Sequence, residues 1–218
     1  MKLINYFLSL IAGIYLFACN STYTSKKEGF YKIEMPQKKY RLFNEPGFPY
    51  SFEYPEYANI VKDSTYFDAS PENNYWRNID FPGFDAKIFL SYKQIGGKAL
   101  YKVKGPSGKY RDSFGINYFD KMVNDAFNLT NKNDDAATSK KVLPFSKPGG
   151  VSGIVFQLGG NAATARQFFM TDSSKNFLRG ALYFYAPPNA DSLRPMVDFL
   201  QKDIDHLINT FHWKPAEK

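Results

Sequence analysis

Apolar and polar positions alternate along much of this chain, and the alternation has a period of two. Tyr31, Ile33 and Met35 alternate with Lys32 and Glu34, and Tyr50, Phe52 and Tyr54 alternate with Ser51 and Glu53 until Pro55 stops the run. Such a period marks a half-buried strand. Ala58 to Val61 continues into an adjacent strand, and Trp76 to Phe81 reads as another that halts at Pro82-Gly83. The run from Phe84 to Tyr92 is the cleanest. Ala86, Ile88, Leu90 and Tyr92 line one face, Lys87, Ser91 and Lys93 the other, with Phe89 as the exception, and Gly96-Gly97 closes it. Residues 96–112, rich in Gly, Pro and Ser, read as a loop. Runs at 141–145, 151–158, 165–171 and 176–186 are separated by Pro148-Gly149-Gly150, Gly159-Gly160-Asn161 and Asp172-Ser173-Ser174. Connections that short predict antiparallel hairpins.

Two stretches switch to a helical period. Ile116, Phe119, Met122, Val123, Ala126 and Phe127 predict a helix over 112–129, followed by a polar stretch from Asn131 to Ser139. Leu193, Met196, Val197, Leu200, Ile204, Leu207, Ile208 and Phe211 form a stripe on a closing helix. Asp191 or Ser192 is expected to cap it, with Pro195 tolerated in the first turn. Together these elements predict an α+β domain: a mostly antiparallel sheet of six to eight strands with two long helices packed on it. Their order resembles the PsbP/Mog1-like fold, including an aromatic strand ending in Tyr-Pro and a closing helix with a terminal Phe.

The N-terminus follows a different pattern. Lys2 precedes an apolar run from Leu3 to Phe17, interrupted only by Asn5, Ser9 and Gly13. The run is short for a bilayer span, which needs about 20 apolar residues, and suits an export signal over 1–18. Leu16-Phe17-Ala18-Cys19 resembles a lipobox, with an aliphatic residue at −3, a small one at −1 and the cysteine. A thiolate is the nucleophile that can accept a diacylglyceryl group. Cys19 is the sole cysteine of the chain and stands where the apolar run stops, so it is the candidate lipid-attachment residue. Lipoproteins of this kind carry three acyl chains, palmitate among them. At about 0.8 kcal/mol per buried methylene, that anchor would be permanent. Residues 20–28 (NSTYTSKKE) are polar and aperiodic and read as a tether. The expected organisation is a signal at 1–18, a lipidated tether at 19–28 and one globular domain at 29–214.

Composition refines this picture. With 21 Phe and 16 Tyr and only 22% charged residues, the chain is not of the disordered type. Many Tyr also suit a surface where the ring is buried and the hydroxyl stays wet. The net charge of +7 loses only Lys2 with the signal. It raises nucleic acid as a partner, but an exported chain without a dense Lys/Arg block is expected to bind none. A solvated, mildly cationic surface fits best, with attraction to anionic lipid head groups or an acidic partner protein as the alternative.

Candidate chemistry is sparse. His206 and His212, six apart, cannot share a helix face as an i, i+4 metal pair, so no metal and no cofactor are expected. Gly150-Val151-Ser152-Gly153 is one residue short of a nucleophile elbow. Gly105-Pro106-Ser107-Gly108-Lys109-Tyr110 has the wrong spacing for a phosphate loop. Asp80 and Asp85 could form an acid pair near Trp76 and Tyr92, although aspartates flanking Pro-Gly are commonly turn residues. Arg166, Asp172 and Arg179 could form a surface ion network across one hairpin. No catalytic residue emerges, and the chain is expected not to be an enzyme.

Five runs bring a family into view: PYSFEYP from Pro49 to Pro55, NIDFP from Asn78 to Pro82, AKIFLSY from Ala86 to Tyr92, GNAA from Gly160 to Ala163 with QFFMTDS from Gln167 to Ser173, and FLRGALYF from Phe177 to Phe184. Asp191-Ser192-Leu193 and the helix leading to Trp213-Lys214 continue them. Over residues 28–214 the chain resembles the gliding motility lipoprotein family GldD of Bacteroidetes. The resemblance implies a part in gliding machinery and its linked type IX protein secretion, other machinery proteins as partners, no known catalytic activity or cofactor, and Cys19 as the one site carried over. The periplasmic face of the outer membrane is the expected location. A periplasmic glycan- or lipid-binding lipoprotein, with Tyr and Trp lining a pocket, is the competing expectation.

Overall fold

A computed structural model describes residues 34–62, 73–132 and 136–215, the side chains of 101 and 102 apart. The export segment 1–18, Cys19, the tether 20–28 and residues Tyr31 and Ile33 of the first expected strand lie outside the described residues. In chain order the described residues form β1 (Tyr40–Phe43), β2 (Tyr50–Pro55), β3 (Asn59–Lys62), β4 (Arg77–Phe81), β5 (Ala86–Gln94), β6 (Lys98–Lys104) and β7 (Tyr110–Ile116). Helix α1 (Phe119–Asn131) follows, then β8 (Ala137–Lys147), β9 (Val151–Gly160), β10 (Arg166–Thr171), β11 (Asn176–Phe184), helix α2 (Ala190–Thr210) and β12 (His212–Trp213).

Seven strands make one antiparallel sheet in the order β3-β4-β5-β11-β10-β9-β8. Successive side chains of a strand point to opposite faces, and here the two faces meet different helices. Phe168, Met170, Leu178 and Leu182 join the core that contains Leu200, Ile204, Leu207 and Ile208 of α2. Their neighbours Phe169 and Phe177, with Phe156, pack instead with Met122 and Ala126 of α1. The α+β expectation therefore holds, with one helix on each face. Directly opposite Phe168 in the register stands Gly180, and the Phe168 ring occupies the space a side chain there would need.

A smaller sheet, β1-β2-β12, packs its Tyr50 and Phe52 into the α2 side of the core. Phe211 ends α2 and stacks on Tyr50 at 5.8 Å, and β12 then pairs with β2. The short strands β1 and β12 were not expected from the sequence. Their residues alternate for too few positions to show a period.

The helix boundaries differ from expectation in informative ways. Residues 96–112 are not a loop but, for the most part, a hairpin: β6 and β7 pair from Lys98↔Ile116 to Lys104↔Tyr110. Its turn is Gly105–Gly108, where Gly108 adopts φ +77° and donates its N–H to the Gly105 carbonyl at 2.9 Å. The expected helix start at 112 fails because Ile116 belongs to β7. Ile116 merely stands three residues before Phe119, a spacing that mimics one helical turn. Helix α2 is capped by Asn189, whose side chain accepts the Ser192 N–H, and not by Asp191 or Ser192. Starting at Ala190, it holds Pro195 inside the helix, beyond the first turn.

The hairpin from β10 to β11 turns on Asp172. Its carboxylate accepts backbone N–H groups of Ser174 (3.0 Å), Lys175 (2.7 Å) and Asn176 (2.8 Å) and the Asn176 side-chain amide (2.6 Å). Burial alone would raise the Asp172 pKa. The bonds from Asn176, Lys175 and Ser174 outweigh it and hold the carboxyl below its ordinary value. A lowered folded pKa means stability that is present above pH 3.8 and lost as pH falls below it. Asp172→Asn is expected to melt lower than the parent at neutral pH but to show a shallower fall in Tm below pH 4. Parallel slopes in thermal melts across that range would refute the assignment.

Candidate functional site

The densest group of ionisable side chains surrounds Asp203 on α2. Its side chain is only 1% exposed, and a buried charge needs partners. Oδ2 meets Lys38 Nζ at 2.6 Å and accepts the Tyr57 hydroxyl, and Oδ1 accepts the Tyr40 hydroxyl at 2.9 Å. Lys38 Nζ also donates to the Tyr57 hydroxyl and to the Phe199 carbonyl, each at 2.9 Å. It lies 3.4 Å from the Phe199 ring centroid, a cation–π contact. All three ammonium hydrogens are thereby engaged. Burial lowers the Lys38 pKa while Asp203 pulls it back up. Burial, with the bond to Asp203, raises both Tyr40 and Tyr57 well above the ordinary phenol value.

One turn along α2, His206 Nε2 stands 2.7 Å from Glu53 Oε2, and its ring stacks on Tyr40 at 3.6 Å. The i, i+3 spacing places Asp203 and His206 on one helix face, so β1 and β2 are both fastened to that face. Chemically this is a clamp: each polar atom around Asp203 is already held by another. It joins residues 38–57 to a helix about 150 positions later, which local periodicity cannot show. One signal was nonetheless present. Asp203 falls between Leu200, Ile204 and Leu207, within the apolar stripe.

The other candidates separate. His212 is not on the closing helix but in β12, so the two histidines sit on different elements. Asp80 forms an ion pair with Lys87 at 3.6 Å, while Asp85 closes a 3-10 turn at Pro82–Phe84 with φ 45°. The Arg166–Asp172–Arg179 network does not form. Arg166 Nε donates to Gln201 at 2.8 Å, Arg179 donates to Gln167, and Asp172 is engaged in its own turn. Gly150 to Gly153 spans a turn and the start of β9. Among the described residues no group of three His, Cys, Asp or Glu side chains is placed to hold a metal ion, and no helix is long and apolar enough to cross a membrane.

Concave surface exists beneath α1. Trp76, Met122, Ala126, Leu129, Phe177 and Arg179 line a half-open groove of about 740 Å³. Trp76 is fixed there, its Nε1–H donating to the Tyr92 carbonyl at 2.8 Å.

The fold and the clamp thus define an α+β domain that secures residues 38–57 to its last helix. Across residues 20–213 the chain matches the family described as gliding motility lipoprotein GldD, and it belongs to that family. No curated protein matches it by sequence. Among solved structures it is similar to the solution structure of cyanobacterial PsbP (CyanoP) from Synechocystis sp. PCC 6803. That likeness has a TM-score of 0.45 and 13% identity and covers 82% of this chain and 95% of that one.

Proposed function

We propose that this gliding motility lipoprotein acts by contact, as a non-enzymatic assembly component of the motility machinery and its associated type IX secretion. It is held on the periplasmic face of the outer membrane by acyl chains on Cys19. The observation that carries the reading is the Asp203 clamp. The groups around Asp203 are engaged with one another, and they brace residues 38–57 against the last helix. A module that transmits contact between an anchor and partner proteins needs such bracing, whereas a catalytic site needs groups left open to substrate. The groove under α1 favours a second reading, a binder of glycan or lipid.

A deletion strain is expected to lose surface spreading and secretion together, and Cys19→Ala is expected to release the protein from the membrane fraction. Crosslinking in the intact envelope followed by mass spectrometry should retrieve other machinery proteins. Normal gliding and secretion in the deletion strain would end the reading. Recovery of glycan or lipid in place of protein would support the second one.

A further inference from the structure

We propose that the β6–β7 hairpin is a second membrane contact, docking on the anionic head-group surface of the bilayer that carries the lipid anchor. This rests on the chain being lipid-anchored and adds a face of the domain to that anchor. The two strands form a sheet of their own and make only sparse contacts with other elements. A lone two-stranded hairpin is marginal in water, so an arm of this kind gains from a surface to lie on.

The register defines that surface. Lys98 pairs with Ile116, Leu100 with Phe114 and Lys104 with Tyr110, so these residues share one face. Tyr110 is 67% exposed, Phe114 72% and Ile116 48%, and Tyr118 follows at 63%. On the opposite face Ala99 is buried and Ser113 and Gly115 are half-buried. The segment carries Lys98, Lys102, Lys104, Lys109 and Arg111 against a single acid, Asp112, with Lys98 and Lys104 in register on the apolar face.

Exposed aromatic rings set among lysines match the bilayer interface. Tyr and Phe enter the head-group boundary while lysine stems lie along apolar surface and place their ammonium groups on lipid phosphates. The excess of cations complements an anionic leaflet. Fully extended, the residues between Cys19 and Glu34 span at most about 50 Å, which keeps the domain close to the bilayer that holds the anchor. At that tethered distance a weak surface affinity is enough.

The test uses the full lipidated chain in vesicles. Phe114→Cys provides one free thiol, since Cys19 carries lipid, and an environment-sensitive nitrobenzoxadiazole label is attached there. A label at Leu143→Cys on β8 serves as reference. In phosphatidylethanolamine vesicles containing about 30% phosphatidylglycerol, the Phe114→Cys label is expected to shift to the blue and brighten several-fold relative to vesicles without the anionic lipid. The change should vanish at about 0.5 M salt and in the Lys102→Glu/Lys104→Glu/Lys109→Glu variant, while the reference label stays water-like throughout. Flotation separates the two claims. Protein that floats with a water-like Phe114→Cys label overturns the hairpin contact alone, and protein that fails to float overturns the anchor and the contact together. A blue shift that requires added envelope proteins in place of anionic lipid also overturns it, in favour of a protein partner.

Discussion

Asp203→Ala is expected to lower the unfolding free energy by about 3 kcal/mol, within the range seen when one partner of a buried ion pair is removed. The loss has several parts. Lys38 loses its counter-ion while its side chain remains only 25% exposed, and the hydroxyls of Tyr40 and Tyr57 lose their acceptor. Part of the cost is recovered as water reaches Lys38, which places the value at the low end. For a domain of this size, about 3 kcal/mol corresponds to a fall in Tm of roughly 6–12 °C. Removing both charges with matched apolar groups, as in Lys38→Met/Asp203→Leu, should restore much of the loss, because no unpaired charge is left behind. Calorimetry on the three proteins checks the order. An Asp203→Ala protein that melts with the parent would mean that the clamp holds nothing.

Gly180→Ala should be comparably damaging through sterics alone. The new methyl would enter the ring of Phe168, which is 1% exposed and so packed on all sides within the core. Overpacking a close-packed core costs about 3 kcal/mol at the upper end of the usual range. Because the obstacle is one ring, the cost should be strongly coupled to it. Phe168→Leu destabilises by itself, yet the double variant should be less destabilised than the sum by about 1–2 kcal/mol. Additive effects in denaturant melts would show that the strain falls on the backbone.

Both sites bear on what the sequence could reveal. Strand β5 was legible because its residues alternate between a buried and a less buried face, whereas β10 and β11, buried on both faces, were legible as apolar runs bounded by turn residues. In β5, Ala86, Ile88, Leu90 and Tyr92 are all buried. The stripe of α2 was legible for the same reason. The β6–β7 hairpin was not, since its few apolar positions are interspersed with Lys98, Lys102, Lys104, Arg111 and Asp112, and the Pro106–Gly108 turn left the main mark. The clamp escaped because its partners are long-range, although an aspartate inside an apolar stripe is a visible anomaly. The capping of α2 was misplaced because Asn189, Asp191 and Ser192 are all good capping types, and only the chain path selects among them. The Arg166 network failed because side chains of like exposure choose among neighbours, here Gln201 and Gln167, that sequence does not bring together.

Strand β8 has a further consequence. It is the rim of the large sheet, eleven residues long, paired on one side to β9 and with most of its side chains exposed. A rim of that length is a template on which another copy could add. Pro144 in its middle lacks the hydrogen that a new neighbour would require, and Lys140, Lys141 and Lys147 repel a second identical rim. Edge-to-edge addition of a second copy along β8 is thereby disfavoured.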